Sequence, residues 1–175
     1  HDFRLYHNGS GSYVDNYTGV LQFTNYADDS DILFKSDDGS GGVAEYFKLA
    51  GSSAGGDGAG TLFTIFPDNS RVSLGDSADL RIYHDGTDSK VINAEGNLII
   101  SNNADDKDIY FQNDRGDGGT STYFYLDGSV TNNSTVCGAT RFPDKSKIMM
   151  GTGGDLEIYH DGSDSYICES GTGNL

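Results

Sequence analysis

The tetrapeptide Tyr-His-Asp/Asn-Gly occurs three times, as Tyr6-His7-Asn8-Gly9, Tyr83-His84-Asp85-Gly86 and Tyr159-His160-Asp161-Gly162. Two chemistries could use it. His7, His84 and His160, each brought to the axis of a trimer with its symmetry mates, could bind a transition metal. Adjacent His and Asp are also ingredients of acid–base catalysis. Each chemistry lacks the rest of its equipment. No His-x-His pair accompanies any of the three, no nucleophile is set beside them, and an active site has no reason to recur at a fixed spacing. The sequence therefore reads as non-enzymatic, with no catalytic residues and no cofactor. The tetrapeptide reads as the turn that ends a strand, with Tyr packing, His bonding to the turn and Asp-Gly or Asn-Gly bending the chain.

Other groups carry weaker signals. Asp28-Asp29-Ser30-Asp31 and Asp105-Asp106-Lys107-Asp108 cluster hard oxygens, yet they lack the spacing and closing Glu of a helix-loop-helix calcium site. Gly55-Gly56-Asp57-Gly58-Ala59-Gly60 likewise lacks the nonapeptide of calcium β-rolls. Both read as solvated turns. Arg115-Gly116-Asp117 spells an adhesion tripeptide that a chain rich in Asp and Gly generates readily. Asn8, Asn16, Asn132 and Asn133 open Asn-x-Ser/Thr triplets, which carry meaning only in a glycosylating host. Cys137 and Cys168, 31 residues apart on apolar runs, have no metal-ligand spacing and read as buried free thiols. Tyrosines on strand faces could stack on sugar rings, and Tyr17, Tyr26 and Tyr123 are the candidate glycan contacts.

The elements that must position these groups repeat with the tetrapeptide. Asp79-Leu80-Arg81-Ile82-Tyr83-His84-Asp85-Gly86 returns as Asp155-Leu156-Glu157-Ile158-Tyr159-His160-Asp161-Gly162, and first appears as Asp2-Phe3-Arg4-Leu5-Tyr6-His7-Asn8-Gly9. Tyr46-Phe47-Lys48-Leu49 matches Tyr123-Phe124-Tyr125-Leu126, and Phe66-Pro67-Asp68 matches Phe142-Pro143-Asp144. The offsets are 77 or 76 residues, which divides the chain into copies at 1–77 and 78–153 and the start of a third at 154–175. Within a copy the apolar residues alternate as in strands, Leu80 and Ile82 against Arg81 and Leu156 and Ile158 against Glu157. In the second copy the pattern predicts strands near 79–84, 90–94, 97–102, 108–113, 122–127, 135–142 and 147–150, or seven to eight strands per copy. Asp/Gly-rich turns join them, so the expected class is all-β.

Composition bounds the rest. The 175 residues hold 27 acidic and 11 basic side chains, a formal charge of −16. That sign and the lack of a basic patch exclude nucleic acid as a partner. Runs such as Leu98-Ile99-Ile100 are too short for membrane insertion, which needs about 20 apolar residues in a helix. Acid is supplied almost entirely by Asp, with Glu only at 45, 95, 157 and 169, and Gly numbers 25. Turn formers thus dominate and helix is not expected. Leu, Ile, Val and Phe total 37 residues, about 21%, close to the ~20% floor for a self-sufficient fold. Stacked repeats escape that limit by burying apolar faces against neighbours. A homotrimer sharing an axial core is the expected arrangement, since it also covers strand edges. With no initial Met and an end inside a motif, the chain reads as a piece of something longer.

The Asp-Leu-x-Ile-Tyr-His-Asp-Gly core and the following Gly171-Thr172-Gly173-Asn174-Leu175 resemble repeats of tail-fibre and related virion proteins of marine and cyanobacterial bacteriophages. The resemblance spans the chain, and the first copy departs from it at Phe3, Leu5 and Asn8. It implies an elongated β-helix-like or β-prism-like fibre shaft, a homotrimer located on the virion outside the cell. The implied partners are other virion proteins and a host surface glycan or protein receptor. Two alternatives compete: a carbohydrate-binding β-repeat module, and a β-propeller-like interaction domain built from half-repeats of about 40 residues.

Overall fold

The computed structural model describes residues 2–51, 61–130 and 138–172. These residues form fourteen short strands and no helix. The strands are β1 (Phe3–His7), β2 (Ser12–Asn16), β3 (Ile32–Asp37), β4 (Val43–Ala50), β5 (Phe63–Ile65), β6 (Val72–Leu74) and β7 (Leu80–His84). They continue as β8 (Ser89–Asn93), β9 (Ile109–Asp114), β10 (Thr120–Asp127), β11 (Ala139–Arg141), β12 (Ile148–Met150), β13 (Leu156–His160) and β14 (Ser165–Glu169). All pairings are antiparallel, giving the hairpin β1-β2 and the three-stranded sheets β3-β4-β5, β6-β7-β8, β9-β10-β11 and β12-β13-β14. Two kinds of sheet therefore alternate, an "aromatic" one (β3-β4-β5 and β9-β10-β11) and an "aliphatic" one (β6-β7-β8 and β12-β13-β14). A four-stranded propeller blade is not present among the described residues.

The chain divides spatially into His1–Leu98 and Ile99–Leu175. Sheet β6-β7-β8 crosses the sequence boundary at 77/78, because the strand before the Tyr-His motif pairs with the strand carrying it. The repeat length is legible in sequence, and its structural phase is set by that pairing.

Six strands fall among the described residues of each full copy, against the expected seven to eight, and 97–102 accounts for a difference. That run was expected to be a strand on its apolar content, but it joins no sheet. Leu98, Ile99 and Ile100 are 49%, 78% and 66% exposed. The matching Val20, Leu21 and Phe23 are also unpaired and exposed. Apolar content supplies no partner strand, and without one an extended run has no ladder to join. Of the strand expected at 135–142, only Ala139–Arg141 is found, and 135–137 lie outside the described residues.

The aromatic sheets are organised by rings. Phe34, Phe47 and Phe66 stack at 4.4 and 5.7 Å between neighbouring centroids, and Phe111, Phe124 and Phe142 repeat the stack at 4.4 and 5.7 Å. Such contacts add about 0.5–1.5 kcal/mol each beyond the area they bury. They do not close a core. Among the described residues, not one hydrophobic side chain is buried, and the buried polar side chain is Asp127. The chain exposes 13790 Å².

The aliphatic sheets leave rows of apolar side chains exposed. Cross-strand register sets Val72, Ile82 and Val91 abreast, exposed by 36%, 47% and 58%. Ile148, Ile158 and Ile167 repeat the row at 36%, 37% and 66%. The polar residues of the alternation, Arg81 and Glu157, are half-buried, as are Leu80 and Leu156, while Ile82 and Ile158 are exposed. The alternation is present as read, and its second apolar residue, Ile82 or Ile158, faces out.

Candidate functional site

Each Tyr-His-Asp/Asn-Gly motif ends the first strand of a hairpin with a four-residue loop, closed by His7↔Ser12, His84↔Ser89 and His160↔Ser165. The Asx side chain organises the loop. Asp85 Oδ1 accepts the N–H groups of Thr87 and Asp88 at 3.0 and 2.8 Å, and Asp161 Oδ1 accepts those of Ser163 and Asp164 at 2.8 and 2.9 Å. In the first copy Asn8 Oδ1 does the same for Ser10 and Gly11 at 3.1 and 3.0 Å. The amide oxygen is thus an adequate replacement for the carboxylate. Gly9, Gly86 and Gly162 follow at φ of +98°, +96° and +103°, a conformation other residues adopt only with strain.

The remaining motif atoms face one another across the hairpin. His Nδ1 lies 3.2 Å from the Oγ of Ser12, Ser89 or Ser165 in the three copies. Tyr6 stacks on Tyr13 at 5.1 Å and Tyr159 on Tyr166 at 4.9 Å. Tyr166 donates its hydroxyl to Asp161 Oδ2 at 3.0 Å, and in the middle copy Lys90 takes that position and pairs with Asp85. The Lys90 ammonium, followed by the loop N–H groups, holds Asp85 well below the usual carboxylate range. The N–H groups of Asp164 and Ser163 lower Asp161. Among the described residues no three His, Cys, Asp or Glu side chains gather as a metal site.

The acidic runs are turns with an anchor. Asp29 and Asp106 take φ of +53° and +54°. Asp31 accepts from Gly51 N–H at 2.8 Å and pairs with Lys48 at 2.9 Å. Asp108 accepts from Gly128 N–H at 2.9 Å and from the Tyr110 hydroxyl at 2.8 Å. Arg115 and Asp117 of the adhesion tripeptide bond to each other at 2.6 Å. Cys168 is half-buried and free. Cys137, Asn132, Asn133 and residues 55–60 lie outside the described residues.

The three candidate tyrosines have different surroundings. Tyr26 is 91% exposed just before the turn that leads into β3. Tyr17 follows β2, with the Arg4 guanidinium 4.7 Å above its ring. Tyr123 lines a cleft of about 690 Å³ between β10 and the chain from Pro143 to Met149. A cleft of about 460 Å³ recurs in the first copy around Tyr46, whose match to Tyr123 at 77 residues is legible in the sequence.

Both cleft tyrosines are the extra residue of a β-bulge. Register passes from Phe34↔Phe47 to Lys35↔Glu45 around Tyr46, and from Phe124↔Phe111 to Thr122↔Gln112 around Tyr123. A bulge re-aims its side chain relative to the pleat. The Tyr46 hydroxyl donates to the Asp37 carbonyl at 2.9 Å and that of Tyr123 to the Asp114 carbonyl at 3.2 Å. The carbonyls of the same tyrosines accept the hydroxyls of Ser70 and Ser146, both at 2.5 Å. These serines join each aromatic sheet to the following aliphatic one.

The cation on the far side of each cleft is held by the repeat motif. The Arg71 guanidinium lies 4.4 Å over the Tyr83 ring, and Lys147 Nζ lies 4.6 Å over Tyr159 while bonding to Glu157 at 2.8 Å. Contact with Glu157 raises the Lys147 pKa. Asp68 and Asp144 complete the clefts without an ion pair or hydrogen bond among the described residues. Sequence reasoning named Tyr123 and passed over Tyr46, these carboxylates and these cations, all of which the internal repeat aligns. Compared with protein-family models, curated proteins and solved structures, the chain matches none of them.

Proposed function

We propose that the chain is a structural segment of a bacteriophage tail fibre or related virion appendage, supporting attachment to the host surface. Its role is mechanical: associated chains hold a receptor-binding part away from the particle. The observation that carries this reading is the exposed aliphatic row, Val72-Ile82-Val91 and again Ile148-Ile158-Ile167, in a chain with no buried hydrophobic side chain among its described residues.

Obligate assemblies bury apolar rows of this kind against a partner. A partner that covers one row suits the other as well, and another copy of the same chain presents like rows by construction. Three copies around an axis would bring like rows together and shield the acidic faces outside. The antiparallel pairing suits a prism of small sheets better than a β-helix, whose coils pair in parallel. Native mass by light scattering coupled to size exclusion tests the reading. About 56 kDa, three times 18.7 kDa, is expected. A well-folded species of 18.7 kDa overturns it.

A further inference from the structure

We propose that the clefts at Tyr46 and Tyr123 are two corresponding subsites for a neutral saccharide unit, one in each full copy of the repeat. Their volumes, about 460 and 690 Å³, fall in the range of small-molecule sites. Each is built on a ring fixed at both ends. The hydroxyl is held by the carbonyl of Asp37 or Asp114, and the backbone is held by the hydroxyl of Ser70 or Ser146. Yet 49% of Tyr46 and 48% of Tyr123 stays exposed. A half-exposed ring that is already immobilised loses little freedom on binding, which favours stacking with the C–H face of a sugar.

The polar groups narrow the ligand class. An uncommitted carboxylate, Asp68 or Asp144, can accept from sugar hydroxyls, and a cation, Arg71 or Lys147, can donate to them. An anionic ligand is opposed in the first cleft, where Asp38, Glu45 and Asp68 outnumber Arg71, and a cationic one in the second, where Lys145 and Lys147 outnumber Asp144. A purely apolar ligand would leave these charges desolvated and unpaired. A neutral polyhydroxylated ring satisfies both clefts. Each cleft lies within one spatial unit of a single chain, so the inference does not rest on the shaft reading.

The test is an array of immobilised trisaccharides of glucose, galactose, mannose and N-acetylglucosamine, followed by calorimetric titration of the 175-residue chain with the strongest binder. Two sites per chain are expected. Tyr46→Ala should leave one site, and Tyr46→Ala with Tyr123→Ala should leave none. Asp68→Asn and Asp144→Asn, which remove no hydrogen bond among the described residues, should each weaken their own site by about tenfold, the worth of one good polar contact. These two variants decide the matter if the tyrosine variants fail to fold. Absence of binding by the folded chain to all four trisaccharides overturns the proposal, as does unchanged binding in the doubly substituted chain. Native mass recorded on the same samples separates the two readings: a single chain that binds as expected removes the shaft and keeps the subsites.

Discussion

Asp161 and Gly162 show how a composition biased to Asp and Gly becomes structure. The Asp161 carboxylate accepts two loop N–H groups, and Gly162 at φ +103° supplies a bend that a Cβ would strain. Gly162→Ala is expected to destabilise the fold by about 1–3 kcal/mol, read from the thermal midpoint. Asp161→Ala should lower that midpoint, while Asp161→Asn should change it little, since Asn8 already performs the same task in the first copy. The pH dependence follows from the direction of the shifts. Asp85 and Asp161 lie below the ordinary 3.8 in the folded chain, so their contribution is complete above that value and is lost as pH falls through the folded values. Acid titration of the ellipticity should show loss of structure beginning below about pH 4, and Asp85→Asn with Asp161→Asn should make that loss less steep.

Ser146 and Phe124 do their work between strands and sheets. The Ser146 hydroxyl reaches the Tyr123 carbonyl and ties the aromatic sheet to the aliphatic one. Ser146→Ala should cost about 1 kcal/mol in denaturant unfolding, the net worth of one such bond. Phe124 stands in the middle of a three-ring stack, so Phe124→Ala should cost roughly 2–4 kcal/mol. Tyr123→Ala, one residue away but turned out by the bulge, should cost less than half as much.

At the scale of the molecule, the proposed assembly would set attraction between aliphatic rows against repulsion between chains of charge −16. Screening weakens the repulsion and leaves burial untouched. The associated mass should therefore grow with sodium chloride between about 0.01 and 0.15 M, over which the Debye length falls from about 30 to 8 Å. Ile158→Asp puts a carboxylate at the centre of the row Ile148-Ile158-Ile167. It should reduce the assembly to single chains at any of those salt concentrations, as read by sedimentation velocity.

The sequence by itself determined the class and the period. Alternation of Leu80, Arg81 and Ile82 and abundant Asp-Gly forced short strands and turns, and identity at a spacing of 76–77 residues forced the same sheet to recur. It could not decide which face of that alternation is covered, and the tertiary structure turns Ile82 and Ile158 outward while Arg81 and Glu157 are half-buried. Nor could it decide whether Leu98-Ile99-Ile100 has a strand to pair with, or that Tyr123 sits on a bulge beside Asp144 and Lys147. Periodicity is a property of neighbours along the chain and is fixed by local sterics. Coverage, pairing and clefts depend on which distant segment arrives alongside, and no local spacing encodes that.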